Sequence, residues 1–402
     1  MGTARLPIGA RIRRARERSG RTQAAVAGLC GITEAYLSQI ERGLKMPSVD
    51  VLLLISRELG VSLAVLLDGE QEHARAEACI APTVTDALMR PPAVRASEAP
   101  APSVLRERVE AAWRMWQTSE SRFSEAARIL PPLIADVELA ARAHRSPGEA
   151  SARREVLCCT ADLYGLLRSY CRRTGRVDLS LMVADRARRA AEDADDPIRI
   201  AAAHWNLGHV LLADGDPAGA EAVAEHAIQQ VRSTAPGEES PEAVAMVGAL
   251  DLVAATSCTR RKRWDAATER LDHEAAPRAR QVGEGNVQHT VFGPTNVTLH
   301  RLSIEMEAGH TAEALRIADE VDVRALPSRE RQFTFMLDVA RCYAQRREDA
   351  AVLVHLLEIE TLAPEDLAHS REGRDLVRQL LDRARSTYRA PVSALAERLG
   401  ML

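Results

Sequence analysis

In the first seventy positions, apolar residues recur at intervals of three and four, which predicts a series of short amphipathic helices. Each predicted helix is bounded by residues that start or stop helices. Thr22, Thr33 and Ser48 stand where N-caps are expected, and glycines follow several of the helices. The predicted helices cover Ile8–Ser19, Thr22–Leu29, Glu34–Arg42, Val49–Leu59 and Leu63–Leu67.

Only about three residues around Gly31 separate the second predicted helix from the third. A turn this short, with glycine at the helix end, makes two helices cross steeply, as in a helix-turn-helix. The apolar positions predict a small core beneath this turn. Its predicted members are Val26, Ile32, Leu37, Ile40, Leu52, Leu53, Ile55, Leu59, Val61 and Leu66.

This region resembles the Cro/phage-repressor (XRE) type of helix-turn-helix found in many bacterial regulators. The resemblance covers residues 6–69 and is carried by Thr22-Gln23-Ala24-Ala25-Val26-Ala27, by residues 31–43, which end in Leu37-Ser38-Gln39-Ile40-Glu41-Arg42-Gly43, by Pro47-Ser48 and by Leu59-Gly60-Val61. It implies a DNA-binding domain. It also implies that a pair between Arg16 and Glu41 ties the first helix to the third.

The third helix would lie in the major groove with its N-terminal part against base edges. Glu34, Ala35, Tyr36 and Gln39 would then face bases, since Gln can bond adenine and Glu can accept from cytosine. The predicted phosphate contacts match family positions, and Thr33 completes the predicted interface beside its capping role. The phosphate set is Thr22, Gln23, Ser38, Arg42 and Lys45. Two alternatives stay open: Glu34 is a capping residue, and the whole domain serves protein contacts.

Charge is divided unevenly along the chain. The 402 residues carry a net charge of −4, but residues 1–69 hold 10 Lys and Arg against 6 Asp and Glu, a net charge of +4. The remaining residues therefore carry −8. A basic N-terminal region on an acidic remainder predicts that only the first domain meets a polyanion such as DNA.

Residues 70–103 change character and predict a linker between a first domain, 1–69, and a second, 104–402. Prolines at 82, 91, 92, 100 and 102 favour an extended spacer, interrupted by one possible short helix over Val84–Met89. The linker is either a hinge through which the second domain repositions the first or a simple tether.

From Val104 onward nearly every segment has a helical period. In Ala201–Val231, small and apolar residues fall at the offsets of a tetratricopeptide repeat: Leu207, Gly208, Leu211, Gly215, Ala220, Ala224 and Ala227. Degenerate units cover Tyr164–Ala187, Ala254–Leu271, His300–Val321 and Met336–Pro364, with Leu105–Gln117 and Phe123–His144 beginning the stack and Arg374–Arg385 capping it.

In such repeats each helix pair buries its remaining face on the next pair, which builds a superhelix with a concave surface that binds peptides, proteins or small molecules. The predicted fold is therefore all-α: a five-helix helix-turn-helix domain followed by a tetratricopeptide-like α-solenoid. The chain as a whole resembles bacterial regulators that join a Cro-type domain to a tetratricopeptide domain.

One loop, residues 283–296, breaks the helical series with hydrogen-bonding groups and an aromatic residue. Polar and aromatic loops on rigid scaffolds are common binding sites. Phe292 and Asn296 are the first candidates for contact with an effector, and His300 and Trp264 complete the predicted set. In the alternative interpretation, Thr295 or Asn296 caps the next helix and Phe292 packs in the core.

Two other groups of polar residues permit a functional interpretation. The basic run 260–263 predicts either an anion or phosphate contact or, more simply, a solvated turn. His204, Trp205 and His209 lie near one face of a repeat helix, where core packing is the simpler interpretation and a metal or cofactor site the other.

The chain carries no motif for catalysis, for a metal or for a cofactor, so we predict that it is not an enzyme. Its seven cysteines are irregularly spaced, which favours reduced, buried thiols in the cytoplasm. No signal peptide or membrane span is expected.

These features together predict a transcription regulator. It would bind a palindromic double-stranded DNA operator as a homodimer, and its repeats would sense a small molecule or a peptide. The alternative is a DNA-tethered scaffold whose repeats recruit a partner protein without sensing a ligand.

Overall fold

The computed structural model describes residues 8–59, 61, 66, 82–89, 99–144, 150–234, 240–323, 326, 328–383 and 385–402. Every regular element within these ranges is helical, which confirms the all-α prediction. The chain divides into two compact units, a head over residues 1–79 and a body over residues 80–401.

Four helices of the head are described, and they follow the predicted bounds within a residue. They are α1 (Ile8–Arg18), α2 (Gln23–Leu29), α3 (Glu34–Glu41) and α4 (Val49–Leu59). The predicted fifth helix, Leu63–Leu67, lies outside the described residues except for Leu66, which is buried.

Nine of the ten residues predicted for the head core are buried or half-buried, and Leu53 is not. Its side chain is 39% exposed, whereas Leu52, Ile55 and Leu59 are buried. These three residues are spaced by three and four along α4 and therefore share one face. Leu53 lies off that face, so its assignment to the core was wrong.

The first part of the predicted linker, up to residue 81, lies outside the described residues. Beyond it, helix α5 (Pro82–Met89) contains the predicted short helix and buries Val84 and Leu88 in the body core. The Leu88 carbonyl also accepts a hydrogen bond from Arg186 Nη1 at 3.2 Å. The domain boundaries themselves stay predictions.

The body continues as helices that pair with their neighbours in sequence. The first pairs are formed by α6 (Pro102–Thr118), α7 (Arg122–Ala143), α8 (Ala150–Arg173), α9 (Val177–Asp193), α10 (Pro197–Asp214) and α11 (Pro217–Thr234). Next come α12 (Pro241–Arg260) and α13 (Trp264–Arg270), which runs through a π-helical turn, Leu271–Ala275, into α14 (Ala276–Val282).

The remaining helices complete the stack after the loop that follows α14. They are α15 (Pro294–Ala308), α16 (Thr311–Ala318), α17 (Arg329–Gln345), α18 (Asp349–Leu362), α19 (Pro364–His369), α20 (Arg371–Arg383) and α21 (Arg389–Arg398). The predicted repeat units each coincide with one helix pair. The predicted cap at residues 374–385 falls largely within α20.

The first helix of each pair packs on the first helix of the next. We call this set, α6, α8, α10, α12, α15 and α17, the A layer. At the crossing of α10 and α12, a Cβ on Gly208 would come within 2.8 Å of Val253 Cγ1. A small residue is therefore favoured there.

The A layer returns to its start, because α17 packs on α6. Contacts between α7 and α19 strengthen this closure. The buried guanidinium of Arg122 pairs with the buried carboxylate of Asp366, with Nε at 3.0 Å from Oδ2. The ring of Phe123 stacks on that of His369 at 4.2 Å between centroids. The six A-layer helices thus surround a common interior.

Helix α12 is long and apolar enough to cross a membrane by length and composition, which the sequence analysis did not expect of any segment. It is a core helix of the body, since 89% of its apolar window is buried. Six cysteines lie within the described residues and all are buried and free, while Cys79 lies outside them.

Candidate nucleic-acid interface

Helices α2 and α3 begin at the two predicted threonine caps. The Thr22 hydroxyl accepts a hydrogen bond from the Ala25 N–H at 3.2 Å, and the Thr33 hydroxyl accepts one from the Tyr36 N–H at 3.2 Å. Each hydroxyl satisfies one of the backbone donors that a helix N-terminus leaves unpaired. Because Thr33 is the cap of α3, Glu34 does not have that role.

The turn between α2 and α3 depends on Gly31. Its φ is +65°, in the left-handed region where glycine has no steric penalty. Helix α1 approaches α3 so closely that a Cβ on Gly9 would overlap the Ile40 carbonyl oxygen. These two glycines let α1, α2 and α3 cross as a compact helix-turn-helix.

A polar cluster beneath α3 joins all three helices. Arg16 of α1 donates to Glu41 of α3 through Nε at 2.7 Å and through Nη2 at 3.0 Å. The Gln23 amide at the start of α2 donates to Glu41 Oε2 at 2.7 Å. The predicted Arg16–Glu41 pair is thereby confirmed. The bond from Gln23 was not foreseen, since this residue was predicted to contact phosphate only.

The outer face of α3 carries the residues predicted to contact bases. Glu34 and Ala35 are exposed, and Tyr36 and Gln39 are half-buried. The Gln39 side chain makes no hydrogen bond to any other residue in the described part of the chain. Its amide donor and acceptor are therefore available to a partner. The assignment of these four residues to base contacts stays a prediction.

Cationic side chains stand beside this face. The Arg42 Nε donates to the Ser38 carbonyl at 3.3 Å, which holds an exposed guanidinium at the end of α3. The Lys45 ammonium lies 5.6 Å from the centroid of the Tyr36 ring, within the range of a cation–π contact. Phosphate contacts by Thr22, Gln23, Ser38, Arg42 and Lys45 likewise stay predictions.

The four candidate effector contacts of the body have different surroundings. Phe292 is buried against α12, where a Cβ on Gly248 would overlap its ring. Asn296 and His300 are one helical turn apart on α15, and Asn296 Oδ1 is buried without a hydrogen-bond partner. Trp264 begins α13 and is half-buried.

The capping alternative for this loop is half right. Phe292 packs in the core, but neither Thr295 nor Asn296 caps α15. Glu284 Oε1 instead accepts a hydrogen bond from the Thr295 N–H at 2.8 Å. An effector contact by Phe292, Asn296, His300 or Trp264 stays a prediction, and the unpartnered oxygen of Asn296 is the feature that favours it.

The loop reaches from α14 to the first A-layer helix. The His289 ring stacks on Trp113 of α6 at 4.0 Å between centroids, and Gln117 Nε2 donates to the His289 carbonyl at 3.3 Å. Burial lowers the pKa of His289 to about 4, helped by the charge of Arg199. His289 is thus neutral at physiological pH.

The other polar groups singled out in the sequence are largely structural. Arg261 Nη1 pairs with Glu221 Oε2 at 2.8 Å and Arg263 pairs with the same carboxylate, so two cations of the basic run share one negative charge. His204 is buried and its Nδ1 lies 2.9 Å from the Ile200 carbonyl oxygen. His209 packs edge-on against Trp205 at 4.5 Å between centroids.

Sequence reasoning missed an arginine cluster in the body, formed by Arg122 of α7, by Arg168, Arg172 and Arg173 of α8, and by Arg331 of α17. A signal was present, since Arg168 and Arg172 are four residues apart and share one helix face. The side chains that contact this face of α8 come from helices far along the chain, and the repeat pattern does not predict them.

Comparison with known proteins gives one family match. Residues 12–66 match the family described as helix-turn-helix. Two curated relatives are each 46% identical over 58 residues, or 14% of this chain. They carry the name uncharacterized HTH-type transcriptional regulator and come from Mycobacterium tuberculosis strains CDC 1551 and H37Rv. The matched segment spans 41% of the length of each.

Two solved structures are similar over more of the chain. Apo ComR from S. thermophilus is 12% identical with a TM-score of 0.36, over 94% of this chain and 99% of its own. Bacillus thuringiensis PlcR, in complex with the peptide PapR7 and DNA, is 13% identical with a TM-score of 0.25, over 67% of this chain and 95% of its own.

The geometry of the head and the family match describe the same segment of the chain. The capped α2 and α3, the glycine turn between them and the Arg16–Glu41 pair all lie within or around residues 12–66. Residues 12–66 of this protein form a helix-turn-helix domain.

Proposed function

We propose that this protein is a cytoplasmic transcription regulator that binds a two-fold symmetric DNA site as a homodimer through α3 of each head. The observation that carries the proposal is the outer face of α3. It presents the unpartnered amide of Gln39 next to the cations of Arg42 and Lys45, within a segment that matches helix-turn-helix domains.

The arrangement of this face suits the major groove. A recognition helix needs a rigid mount and free hydrogen-bonding groups on its outer side. The Glu41 cluster fixes α3 to α1 and α2 from beneath. The outer side carries the Glu34 carboxylate and the Gln39 amide, with the cations of Arg42 and Lys45 beside them. Flanking cations supply the affinity for phosphate that all sequences share, while Gln39 supplies discrimination between bases.

One head of this size buries too little surface for a tight specific complex, so two heads are expected to act together. The dimer contacts would come from the body. The body would also bind an effector inside the A layer, since six pairs of helices far exceed what a dimerisation element requires. An effector would shift DNA affinity only by its differential affinity for the two states of the protein.

Selection from a pool of random double-stranded DNA with the purified full chain tests the DNA-binding proposal. The expected product is an inverted repeat whose half-sites are about 10 base pairs apart, or a multiple of that. Analytical ultracentrifugation should show a dimer on this site. Enrichment of no sequence, or a stable monomer both free and on DNA, contradicts the proposal.

The sensing role is separated from a scaffold role by a second measurement on the selected site. Cell extract freed of macromolecules should change the affinity of the full chain for DNA if the body senses a small effector. If only the macromolecular fraction binds the body and DNA affinity stays constant, the repeats act as a scaffold.

A further inference from the structure

Five arginine side chains converge where the A layer closes: Arg122, Arg168, Arg172, Arg173 and Arg331. Three carboxylates act on them most strongly. Arg122 pairs with Asp366, and Arg173 pairs with Glu330. The negative charge of Glu372 also acts on Arg173. The group therefore has two positive charges in excess.

Glu330 is shared among too many cations to neutralise them. Arg172 Nη2 lies 3.6 Å from its Oε1, and Arg122 Nη1 lies 3.7 Å from its Oε2. Burial alone would raise the pKa of Glu330, but the charges of Arg173, Arg122 and Arg172 hold it well below its usual range. Glu330 thus stays ionised and already serves three arginines.

Two arginines receive little of this compensation. Arg331 makes no ion pair with any carboxylate in the described ranges. Arg168 is 3% exposed; it donates to Asn206 Oδ1, but its Nε is buried without a partner. Burial and the neighbouring charge of Arg172 lower the pKa of Arg168 to about 9.

These groups face one interior from different helices. The charge of Arg331, on α17, acts on Arg172 of α8, on His209 of α10 and on His300 of α15. Direct contacts join the same helices: Glu330 of α17 lies against Arg172 and Arg173 of α8, and Arg168 of α8 donates to Asn206 of α10. Arg172, Arg331, His209 and His300 are each half-buried.

The A-layer helices that carry these groups also carry an unsatisfied acceptor and an aromatic ring. Asn296 lies one turn before His300 on α15, and its buried Oδ1 has no partner. The guanidinium of Arg168 lies 5.3 Å from the centroid of the Trp205 ring. Burial lowers the pKa of His300 to about 3, so this histidine adds no positive charge at neutral pH.

From this geometry we infer that the A layer binds the anionic group of a small effector, a carboxylate or a phosphate, between Arg168, Arg172 and Arg331. This inference rests on the proposed effector-binding role of the body. Guanidinium groups bind both oxyanions through paired N–H donors. A donor elsewhere on the ligand, an N–H or an O–H, would satisfy Asn296 Oδ1.

The free protein holds like charges together in a partly desolvated space, which is unfavourable. Two consequences follow. An anion should stabilise the fold beyond the general effect of salt. Removing one uncompensated arginine should leave the free protein at least as stable, because it relieves repulsion without breaking an ion pair. A cluster with a purely structural role would show neither behaviour.

The experiment measures the melting temperature of the full chain with increasing inorganic phosphate, against sodium chloride at equal ionic strength. A second arm compares trialanine with trialanine amide, which lacks the free carboxylate. We expect a saturable rise of about 3 °C or more with at least one anion and not with its control. A response to phosphate alone or to trialanine alone identifies the oxyanion that the site prefers.

Arg331→Gln should weaken the apparent affinity for that anion at least tenfold without lowering the melting temperature of the free protein. Should the first variant not fold, Arg172→Gln tests the loss of anion affinity only, because it also removes a 3.6 Å contact with Glu330 and its effect on the melting temperature is not part of the test. The matched control is Arg189→Gln, a fully surface arginine paired with Asp185 at 2.8 Å, which should behave as the unmodified chain. If no anion exceeds its control, or if all variants respond equally, the inference is wrong.

Failure here is distinguishable from failure of the proposed function. An extract that changes DNA affinity while no anion stabilises the chain leaves the sensing role intact and excludes an anionic effector site. Anion binding by a chain that selects no DNA sequence supports the anion site and contradicts the proposed DNA-binding function.

Discussion

Arg16 and Glu41 form a two-point ion pair, with Nε 2.7 Å from Oε1 and Nη2 3.0 Å from Oε2. The Glu41 side chain is almost fully buried, and the side chain of Arg16 is 11% exposed. The pair joins α1 to the last turn of α3. It therefore fixes the helix that presents the proposed DNA-reading face.

Glu41→Ala should destabilise the head by about 3–5 kcal/mol, since it removes the carboxylate that makes a two-point pair with a largely buried guanidinium. Hydrogen exchange of the α1–α3 amides in the full chain measures this loss. The matched control is Arg13→Ala, which removes an exposed pair with Glu17 on the same helix and should cost less than about 1 kcal/mol. Equal losses for the two variants would show that the Arg16–Glu41 pair does not hold α3.

Gln39→Ala and Arg42→Ala should differ in how they affect DNA binding. Loss of a base contact at Gln39 should cost about 1–3 kcal/mol on the selected site, relax one base position and leave random DNA unaffected. Loss of a phosphate contact at Arg42 should weaken all sequences alike and reduce the salt dependence. Fluorescence anisotropy on selected and random duplexes at several salt concentrations separates the two. A Gln39→Ala variant that loses equally on both duplexes contradicts the assignment.

Gly248→Ala should destabilise the body by about 1–3 kcal/mol, because the new methyl group would overlap the Phe292 ring in a packed core. In a Phe292→Leu background, Gly248→Ala should cost less than it does in the unmodified chain, because the smaller side chain leaves room for the methyl group. A double-mutant cycle of thermal denaturation measures this difference. Gly285→Ala is the control, since its Cβ would meet only an ordinary contact at 3.8 Å. Additive losses in the cycle would mean that Gly248 and Phe292 are not coupled.

Acid should destabilise the body through His289. Its pKa falls from an ordinary value near 6.5 to about 4 in the folded state, so the folded chain takes up this proton only at a lower pH than the unfolded chain does. The associated stability is present above pH 6.5 and is lost as the pH falls towards 4, by up to about 3 kcal/mol. His289→Phe keeps a ring on Trp113 and should flatten the dependence of melting temperature on pH in this window.

Two buried carboxylates act in the opposite direction. Burial raises the pKa of Asp251 and of Asp338 to about 6, so their contributions to stability grow as the pH falls through 6. The comparison of His289→Phe with the unmodified chain removes this shared background. His273→Phe is the control, at an exposed position that makes no ion pair within the described residues, and it should follow the unmodified chain. Identical pH profiles for all three proteins would show that His289 does not titrate with folding.

The sequence predicted much of what is local. Caps at Thr22 and Thr33, the glycine turn and the helix bounds follow from residues close together in the chain, and they were right within a residue or two. Leu53 was misplaced because the helical period selects a face but does not fix its width. The hydrogen bond at the start of α15 was not predicted either, because its acceptor, Glu284, lies ten residues before the helix begins.

Contacts between distant helices could not be predicted. The spacing of residues within α8 does not predict that Arg172 and Arg173 share Glu330 with Arg122. It also does not predict that α17 brings Arg331 to the same interior. A repeat sequence specifies how each helix pair packs on the next, but closure depends on small rotations that add up over the whole stack. The arginine cluster is a product of that closure.

The contact between Arg122 and Asp366 also has a consequence for synthesis. The two residues are 244 positions apart, so a ribosome that adds about 5–20 residues per second makes the second one more than about ten seconds after the first. During that interval the helix-turn-helix domain has already left the ribosome, while Arg122 and Phe123 still lack their partners. A nascent or prematurely terminated chain therefore carries a DNA-binding head without a closed body, and its exposed α6 and α7 would mark it for chaperones and proteases.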